Sequence, residues 1–379
     1  MRDAETIHDI AVIGAGMAGA SVAAELAKEA AVLLLEMENQ PGYHTTGRSA
    51  ALFVPGYGPA PIRALTRASA AFFHAPPGGF CQAALLSPRD IMMIARADQV
   101  DWLDQQIAEL SAEAEIRRLN AAEVRQHLPL LRQGYAEAGY LDRAGSDIDV
   151  AALHQGYLGM FKRAGGRLVT GAGVNRLEYG PDGWRIFTAN GTFKARKLVN
   201  AAGAWADQIG ALAGAEPIGL VPKRRTALIV APPAGIKVDD WPMVADINEE
   251  FYMKPDAGRL LISPANEDPE APGDVQPDEM DVAICVDRIE RAFDLTIRRI
   301  ENKWAGLRSF VADKSPVAGF AGGIDGFFWL AGQGGYGIQT APALSRLAAA
   351  LVLGKSVPAD ILDQGLDARD LSPDRSAIG

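Results

Sequence analysis

A single guanidinium stands in an otherwise apolar stretch near the end of the chain. Arg308 lies between Leu307 and Ser309 in "WAGLRSF", residues 304–310. An arginine side chain stays protonated in proteins, so burying it without a partner is costly. Its planar set of N–H donors matches the geometry of a carboxylate. We therefore expect Arg308 to bind an anion, either an internal Asp or Glu or the carboxylate of a ligand.

A second chemical signal lies near the N-terminus. Gly14, Gly16 and Gly19 form a G-x-G-x-x-G pattern between an apolar strand, 10–13, and a segment of helical composition, 20–30. In such a unit the first glycine permits a tight turn and the second lets the backbone approach a pyrophosphate at the helix N-terminus. The third allows close packing of helix on strand. The pattern predicts a dinucleotide-binding turn.

An acidic residue completes this unit. A second apolar run, 31–36, ends in Glu36, whose carboxylate is placed to accept hydrogen bonds from ribose hydroxyls and would repel a 2′-phosphate. This leaves FAD and NAD both open. The following segment, "QPGYHTTGRSAAL" (40–52), favours FAD, because it is rich in Gly, Ser and Thr and carries an arginine. We interpret His44 within it as a surface or packing residue in preference to a covalent flavin anchor.

Size and charge limit the classes of function. A chain of 379 residues with 48% hydrophobic and 22% charged residues predicts a globular protein of two domains. The net charge of −10 argues against nucleic acid and anionic lipid as partners. Cys81 and Cys285 have no metal or redox spacing, and no apolar stretch is long enough to span a membrane. The N-terminus is polar and does not resemble a signal peptide, so we expect a cytoplasmic protein. From the cysteine spacing we expect no metal site.

The remaining elements predict how these signals are positioned. A second strand–glycine loop–helix unit, 327–353, indicates that the nucleotide domain is discontinuous, while alternating strands and turns over 217–305 indicate a largely antiparallel sheet. We predict an α/β, Rossmann-like FAD domain of the glutathione-reductase type and an α+β substrate domain. The FAD domain comprises 1–85, 146–215 and 306–379, and the substrate domain comprises 86–145 and 216–305.

Local signals add finer expectations. Asn120-x-x-Glu123 predicts a helix N-terminal capping box. Asn190-Gly191 predicts a hairpin whose second strand ends at Lys197, followed by a separate buried strand. Residues 277–298 are expected to be helical.

The ordered motifs resemble one family. G-x-G-x-x-G with Glu36, "TTGRSAA", "LVNAAGAWA", "WAGLRSF" and "GQGGYGIQTAP" together resemble the D-amino-acid oxidase/dehydrogenase family of FAD-dependent oxidoreductases, over nearly the whole chain. Further stretches, among them "QPGYHTTGRSAA", "FYMKPDAG" and "WAGLRSFVADKSPVAG", look similar to bacterial D-arginine dehydrogenases.

This resemblance implies a cofactor and a substrate site. FAD would bind noncovalently and extended, and the flavin N5 would take a hydride from Cα of a D-amino acid. The imino acid product would hydrolyse to a 2-oxo acid and ammonia. The substrate carboxylate would be held by Arg308, Arg225 (with Arg224 the less favoured register), Tyr57 and Tyr252, and the Gly335 carbonyl would accept from the amine.

The motifs and the resemblance together assign a larger set of residues to the cofactor, several of them as hydrogen-bond donors. The set is Gly14, Gly16, Met17, Ala18, Gly19, Glu36, Thr45, Thr46, Arg48, Ser49, Ala50, Ala51, Val174, Ala202, Gly203, Trp205, Gly332, Gly334, Gly335, Tyr336, Gly337 and Ile338.

Two departures from the D-arginine enzymes bear on substrate choice. Ile91 stands where those enzymes carry a glutamate for the guanidinium, and Leu52 stands where they carry a histidine. Asp90 is adjacent, but a one-residue offset on a strand points to the opposite face. The resemblance therefore implies a preference for neutral or hydrophobic D-amino acids over arginine.

Several alternatives remain open on the sequence. The alternatives are a flavin enzyme that acts on glycine, sarcosine or a 2-hydroxy acid, a flavin-binding subunit that needs a partner, and an NAD-only dehydrogenase. The electron acceptor, a quinone, O₂ or another oxidant, is also undetermined. The resemblance favours a dehydrogenase.

Overall fold

The computed structural model describes residues 6–111 and 114–376. The strands are β1 (Ile7–Ile13), β2 (Val32–Leu35), β3 (Leu52–Phe53), β4 (Leu86–Pro88), β5 (Ile91–Ala95), β6 (Ile116–Asn120), β7 (Ala138–Asp142), β8 (Ser146–Ile148), β9 (Arg167–Val169), β10 (Val174–Gly180), β11 (Gly183–Thr188), β12 (Gly191–Asn200), β13 (Val221–Val230), β14 (Met243–Asp246), β15 (Tyr252–Asp256), β16 (Arg259–Ser263), β17 (Asp268–Pro269), β18 (Ile300–Phe310), β19 (Val317–Phe320) and β20 (Phe327–Ala331). The α-helices are α1 (Met17–Leu26), α2 (Ala60–His74), α3 (Val100–Leu110), α4 (Ala121–His127), α5 (Val150–Arg163), α6 (Ala206–Ala213), α7 (Glu279–Ala292), α8 (Ala341–Val352) and α9 (Ala359–Leu362).

The first sheet carries the dinucleotide-binding unit. It has eight strands, with β12, β1, β2 and β9 parallel and β20 parallel to β12. Strand β2 is apolar and buried along its whole length, as expected for a parallel strand covered on both faces. Helices α1, α5 and α8 pack together over this sheet and bury one of its large cores. The carboxyl ends of β1, β2 and β12 consequently meet at one edge.

The second sheet has nine strands and is largely antiparallel. Strands β13, β16, β15 and β14 follow one another as antiparallel neighbours, and β18 runs antiparallel along β13. The β5–β14 pair is parallel. Helix α7 packs on β13 and β16. A small three-stranded sheet, β3-β8-β4, lies apart from both. The α/β FAD-type fold with an added antiparallel sheet agrees with the predicted fold class.

Most local expectations hold and some need correction. The capping box is present, because the Asn120 side chain accepts from the Glu123 backbone N–H and Glu123 accepts from that of Asn120. The second hairpin strand does not stop at Lys197, since β12 continues without interruption into the buried parallel sheet. The 277–298 helix is shorter, at Glu279–Ala292. It begins after the Asp278 cap and gives way to an extended segment at Phe293.

The two large sheets draw on different parts of the chain. The strands of the first lie within 7–35, 167–200 and 317–331, and those of the second within 91–142 and 221–310. The predicted boundary at residue 306 falls inside β18, which is continuous through Phe310. Within the described ranges, no helix is both long and apolar enough to cross a bilayer.

Candidate active site

The glycine turn between β1 and α1 is tightly packed. Gly14 has φ +98°, and a Cβ placed there would lie 2.5 Å from the carbonyl oxygen of Ala201. A Cβ on Gly19 would lie 1.7 Å from the carbonyl oxygen of Gly14. Both contacts are with backbone, which cannot move aside as a flexible side chain would. Glycine at these positions therefore lets α1 begin directly above the end of β1.

Glu36 braces this turn from the end of β2. It is buried, and its carboxylate accepts a hydrogen bond of 2.8 Å from the Ala15 backbone N–H and one of 2.9 Å from that of Glu38. The acid identified from spacing is thus fixed at the edge where β1 and β2 end.

A cavity of about 430 Å³ opens at this edge. It runs from the glycine turn to the carboxyl end of β18. Most residues assigned to the cofactor line it: Gly14, Gly16, Met17, Ala18, Glu36, Thr45, Thr46, Arg48, Ser49, Ala50, Val174, Ala202, Gly203, Trp205, Gly334, Gly335, Gly337 and Ile338. Gly19, Gly332 and Tyr336 do not line it, and Ala51 lines a neighbouring cavity instead.

The segment from Tyr43 to Ser49 is held in place by hydrogen bonds from its side chains to distant parts of the chain. The Arg48 guanidinium donates to Asp274 and to the carbonyl oxygens of Val275 and Ala305. The Thr45 hydroxyl donates to the Leu307 carbonyl. These contacts fix the segment against β18 and the 274–275 loop, and the assignment of both residues to the cofactor stays a prediction.

Besides Nε of Arg225, described below, two buried polar atoms beside the cavity have no partner within the described residues. They are Nδ1 of His44 and Nε2 of Gln333. The other ring nitrogen of His44 lies 2.9 Å from a Glu38 carboxylate oxygen. Buried polar atoms normally find hydrogen-bond partners, so these two fit a polar ligand in the cavity. Gln333 was missed from the sequence, where a glutamine in a glycine-rich loop gives no specific signal.

Arg308 projects from β18 at the end of this cavity. Across residues 6–111 and 114–376 it has no hydrogen bond or ion pair with another side chain, so the internal salt bridge weighed above is absent. Its guanidinium lies against Gly335, where an added Cβ would be 2.9 Å from Nη1 and 3.1 Å from Cζ. The absence of a side chain at residue 335 thus makes room for the guanidinium.

Arg225 on β13 brings a second positive charge to the same place. It is buried, its Nη2 donates to Glu267 over 3.2 Å, and its Nε has no partner among the described residues. Burial and the nearby Arg308 lower the pKa of Arg225. Arg224 faces away and is bound by Asp281 and Glu270. Alternation along the strand therefore turns Arg225, and not Arg224, to the cavity.

Tyr57 and Glu249 form a contact that the sequence did not suggest. The Tyr57 hydroxyl donates to the Glu249 carboxylate over 2.8 Å, and its ring packs against Tyr336 with centroids 5.3 Å apart. Burial first, and then the charge of Glu249, raise the pKa of Tyr57 well above its usual value. Glu249 holds a left-handed backbone, with φ 56°, in the turn between β14 and β15. No motif marks this residue.

A second cavity, of about 110 Å³, adjoins the first. Leu52 and Ile91 line it, as do Tyr57 and Glu249. Asp90, one residue from Ile91, does not. Six residues line both cavities and therefore mark where they meet: Ser49, Ala50, Arg225, Tyr252, Arg308 and Gly335.

The sequence over residues 9–351 matches the family described as "DAO: FAD dependent oxidoreductase". The chain belongs to this family. As a DAO-family member it is FAD-dependent, which agrees with the glycine turn, Glu36 and the larger cavity.

Relatives of this DAO-family chain have diverged widely. It is 25% identical to the human mitochondrial dimethylglycine dehydrogenase over 260 residues, 63% of the chain, but spans only 30% of that protein's length. It is 23% identical to the uncharacterised oxidoreductase YurR of Bacillus subtilis, covering 92% of the chain and 96% of YurR. Its fold is similar to that of glycine oxidase from Geobacillus kaustophilus, with TM-score 0.83, 22% identity, and coverage of 97% and 98%. None of these three proteins is named as a D-arginine dehydrogenase, so they do not support that narrower resemblance.

The attachment of FAD has a direct test. His44 is the one histidine lining the larger cavity within the described ranges, and Glu38 holds its Nε2. We expect acid or heat denaturation to release all FAD into the supernatant, leaving no flavin fluorescence on the protein band of a denaturing gel. A fluorescent band that disappears in His44→Ala would contradict noncovalent binding.

Proposed function

We propose that this chain oxidises D-amino acids at the carbon that bears the amine, with FAD as cofactor. One observation carries the proposal: the six residues that line both cavities include two arginines, one of which has no protein partner among the described residues. A substrate carboxylate at that junction satisfies Arg308 and offsets the mutual repulsion of the two guanidinium groups.

The chain's own residues then bind and orient the substrate. Arg308 and Arg225 fix the carboxylate, and Tyr252 is placed beside them on β15. The Gly335 carbonyl is assigned to accept from the neutral amine. With carboxylate and amine both held, the Cα–H bond has one orientation, and such positioning supplies much of an enzyme's rate. When bound in the larger cavity, FAD would supply the acceptor for the hydride that leaves Cα. The imino acid released hydrolyses in water.

Tyr57 takes a different role from the one first expected. Its hydroxyl is engaged by Glu249, so we assign Tyr57 and Tyr336 to covering the junction from water. Burial and Glu249 also raise the pKa of Tyr336, to about 12. Both phenols consequently stay protonated at any pH used for turnover.

A second candidate is oxidation of glycine or an N-methylated glycine. Two relatives support it by name, a dimethylglycine dehydrogenase and a glycine oxidase. Arg308 and Arg225 would bind the carboxylate of these substrates in the same way, because the two arginines are assigned to the carboxylate and not to the substrate side chain. The smaller cavity favours a substrate with a side chain.

Anaerobic reduction of the bound flavin by a panel of substrates separates these readings. We expect D-amino acids to bleach the flavin spectrum without any partner protein, and those with a short neutral side chain to exceed D-arginine in kcat/KM, because the smaller cavity, of about 110 Å³, is small for an arginine side chain. The panel includes L-amino acids, glycine, sarcosine and 2-hydroxy acids. Reduction by 2-hydroxy acids alone, or a kcat/KM for D-arginine that no neutral D-amino acid exceeds, would overturn the assignment.

A further inference from the structure

The smaller cavity contains a carboxylate that the substrate assignment above leaves unused. Asp142, the last residue of β7, is 2% exposed and lines this cavity with Leu52 and Ile91. Its Oδ1 accepts from the Ala144 backbone N–H over 2.8 Å. Among the described residues no cationic side chain pairs with it, and burial raises the pKa of Asp142.

The position of Asp142 relates it to Ile91. The two residues are directly opposite in the antiparallel β5–β7 pair. Opposed residues on antiparallel strands project from the same face of the sheet. The carboxylate that the sequence lacks at residue 91 is therefore present one strand away, directed at the same cavity.

A second polar group without a partner lies in the same cavity. Gln339 is 3% exposed, and its Oε1 accepts from the Val54 backbone N–H over 3.0 Å, while its Nε2 has no partner among the residues described. Val54 and Gly56 both line this cavity. Gly56 lies next to Asp142, since a Cβ added at Gly56 would be 3.8 Å from Oδ2 of Asp142. One wall thus presents an amide donor and another a carboxylate acceptor.

Resting on the proposed function, we propose that Asp142 and Gln339 select a neutral substrate side chain ending in a group that both donates and accepts hydrogen bonds, such as a primary carboxamide. Leu52, Ile91 and Met93 supply apolar lining, while Tyr140 and the hydrogen-bonded pair Tyr57 and Glu249 also line this cavity. An engineered cavity of about 150 Å³ holds benzene, so about 110 Å³ suits roughly four to five heavy atoms.

Other side chains leave one of these groups unsatisfied. An ammonium or guanidinium has no acceptor for the Gln339 amide, and a carboxylate is repelled by Asp142. An aliphatic side chain leaves both buried groups unpaired. A polar site rejects most strongly those substrates that leave its buried hydrogen-bonding groups without partners.

The test compares side chains of similar length in anaerobic flavin reduction by the holoenzyme. Within whichever enantiomeric series reduces the flavin, glutamine is expected to exceed methionine and ornithine in kcat/KM by about tenfold and glutamate by about a hundredfold. Asp142→Asn keeps the shape and an acceptor for Ala144, and should lower the glutamine-to-glutamate ratio at least tenfold. Asp256→Asn, the same charge change on an exposed residue of β15, should alter no ratio.

The outcomes separate this inference from the proposed function. If methionine or ornithine matches glutamine in the unaltered enzyme, the side-chain assignment fails even when Asp142→Asn does not fold. An unchanged glutamine-to-glutamate ratio in a folded Asp142→Asn also overturns it. If alanine and every other amino acid leave the flavin oxidised, it is the proposed function that fails.

Discussion

Replacing Arg308 with alanine is expected to lower kcat/KM by about 10²–10⁴-fold while FAD remains bound. Each hydrogen bond to a charged group contributes ~1.5–3 kcal/mol, and a bidentate carboxylate contact has two. At ~1.4 kcal/mol for each factor of ten, their loss gives this range. The measurement is steady-state kinetics with an artificial electron acceptor, together with the flavin absorbance per protein.

Two further variants sharpen this result. Arg308→Lys keeps the charge but loses the planar fork, so it should recover only part of the lost activity. Arg291→Ala removes an arginine that is 75% exposed on α7 and should leave kcat/KM unchanged. Near-normal turnover in Arg308→Ala, with FAD at its usual content, would show that the substrate carboxylate binds elsewhere.

The substitution Gly19→Ala is expected to abolish FAD binding and destabilise the protein. The added methyl would lie 1.7 Å from the Gly14 carbonyl oxygen, so α1 must move away from the turn. Overpacking a core typically costs ~1–3 kcal/mol, and contact with backbone is relieved less easily than contact with a side chain. The glycine turn and the N-terminus of α1, which face the larger cavity, would move together with the rest of α1. Flavin content after purification and Tm are the readouts.

Gly78→Ala provides the matched control. A Cβ at Gly78 meets no atom within 4 Å, and its backbone is not in the left-handed region. This variant should keep wild-type flavin content and Tm. If Gly19→Ala also purifies with a full complement of FAD and an unchanged Tm, the close packing of α1 on the turn does not decide cofactor binding.

The motifs that depend on local spacing could be interpreted from the sequence alone. The G-x-G-x-x-G turn, Glu36 and the capping box at Asn120 act over short separations, where residue type nearly fixes the geometry. The choice between Arg224 and Arg225 was harder. It depends on which face of β13 meets the cavity, and the pairing of that strand with β18 and β16 sets this.

Contacts between distant segments were beyond the reach of the sequence. Arg48 binds Asp274, Tyr57 binds Glu249, and Gln339 holds the Val54 backbone. Each pair is far apart along the chain, and nothing in either segment identifies the other. Arg48 illustrates this, since the carboxylate that it binds is supplied by a loop remote in sequence.

The sequence by itself therefore determined the FAD-binding turn, the fold class and the unusual position of Arg308. The tertiary structure decided what surrounds that arginine. It set Arg308 against Gly335 without an acidic partner among the described residues, and it brought Asp142 opposite Ile91 in a cavity that the sequence predicted to be apolar. The physical reason is that periodicity shows which face of a strand a side chain occupies, whereas strand pairing decides which other side chains share that face.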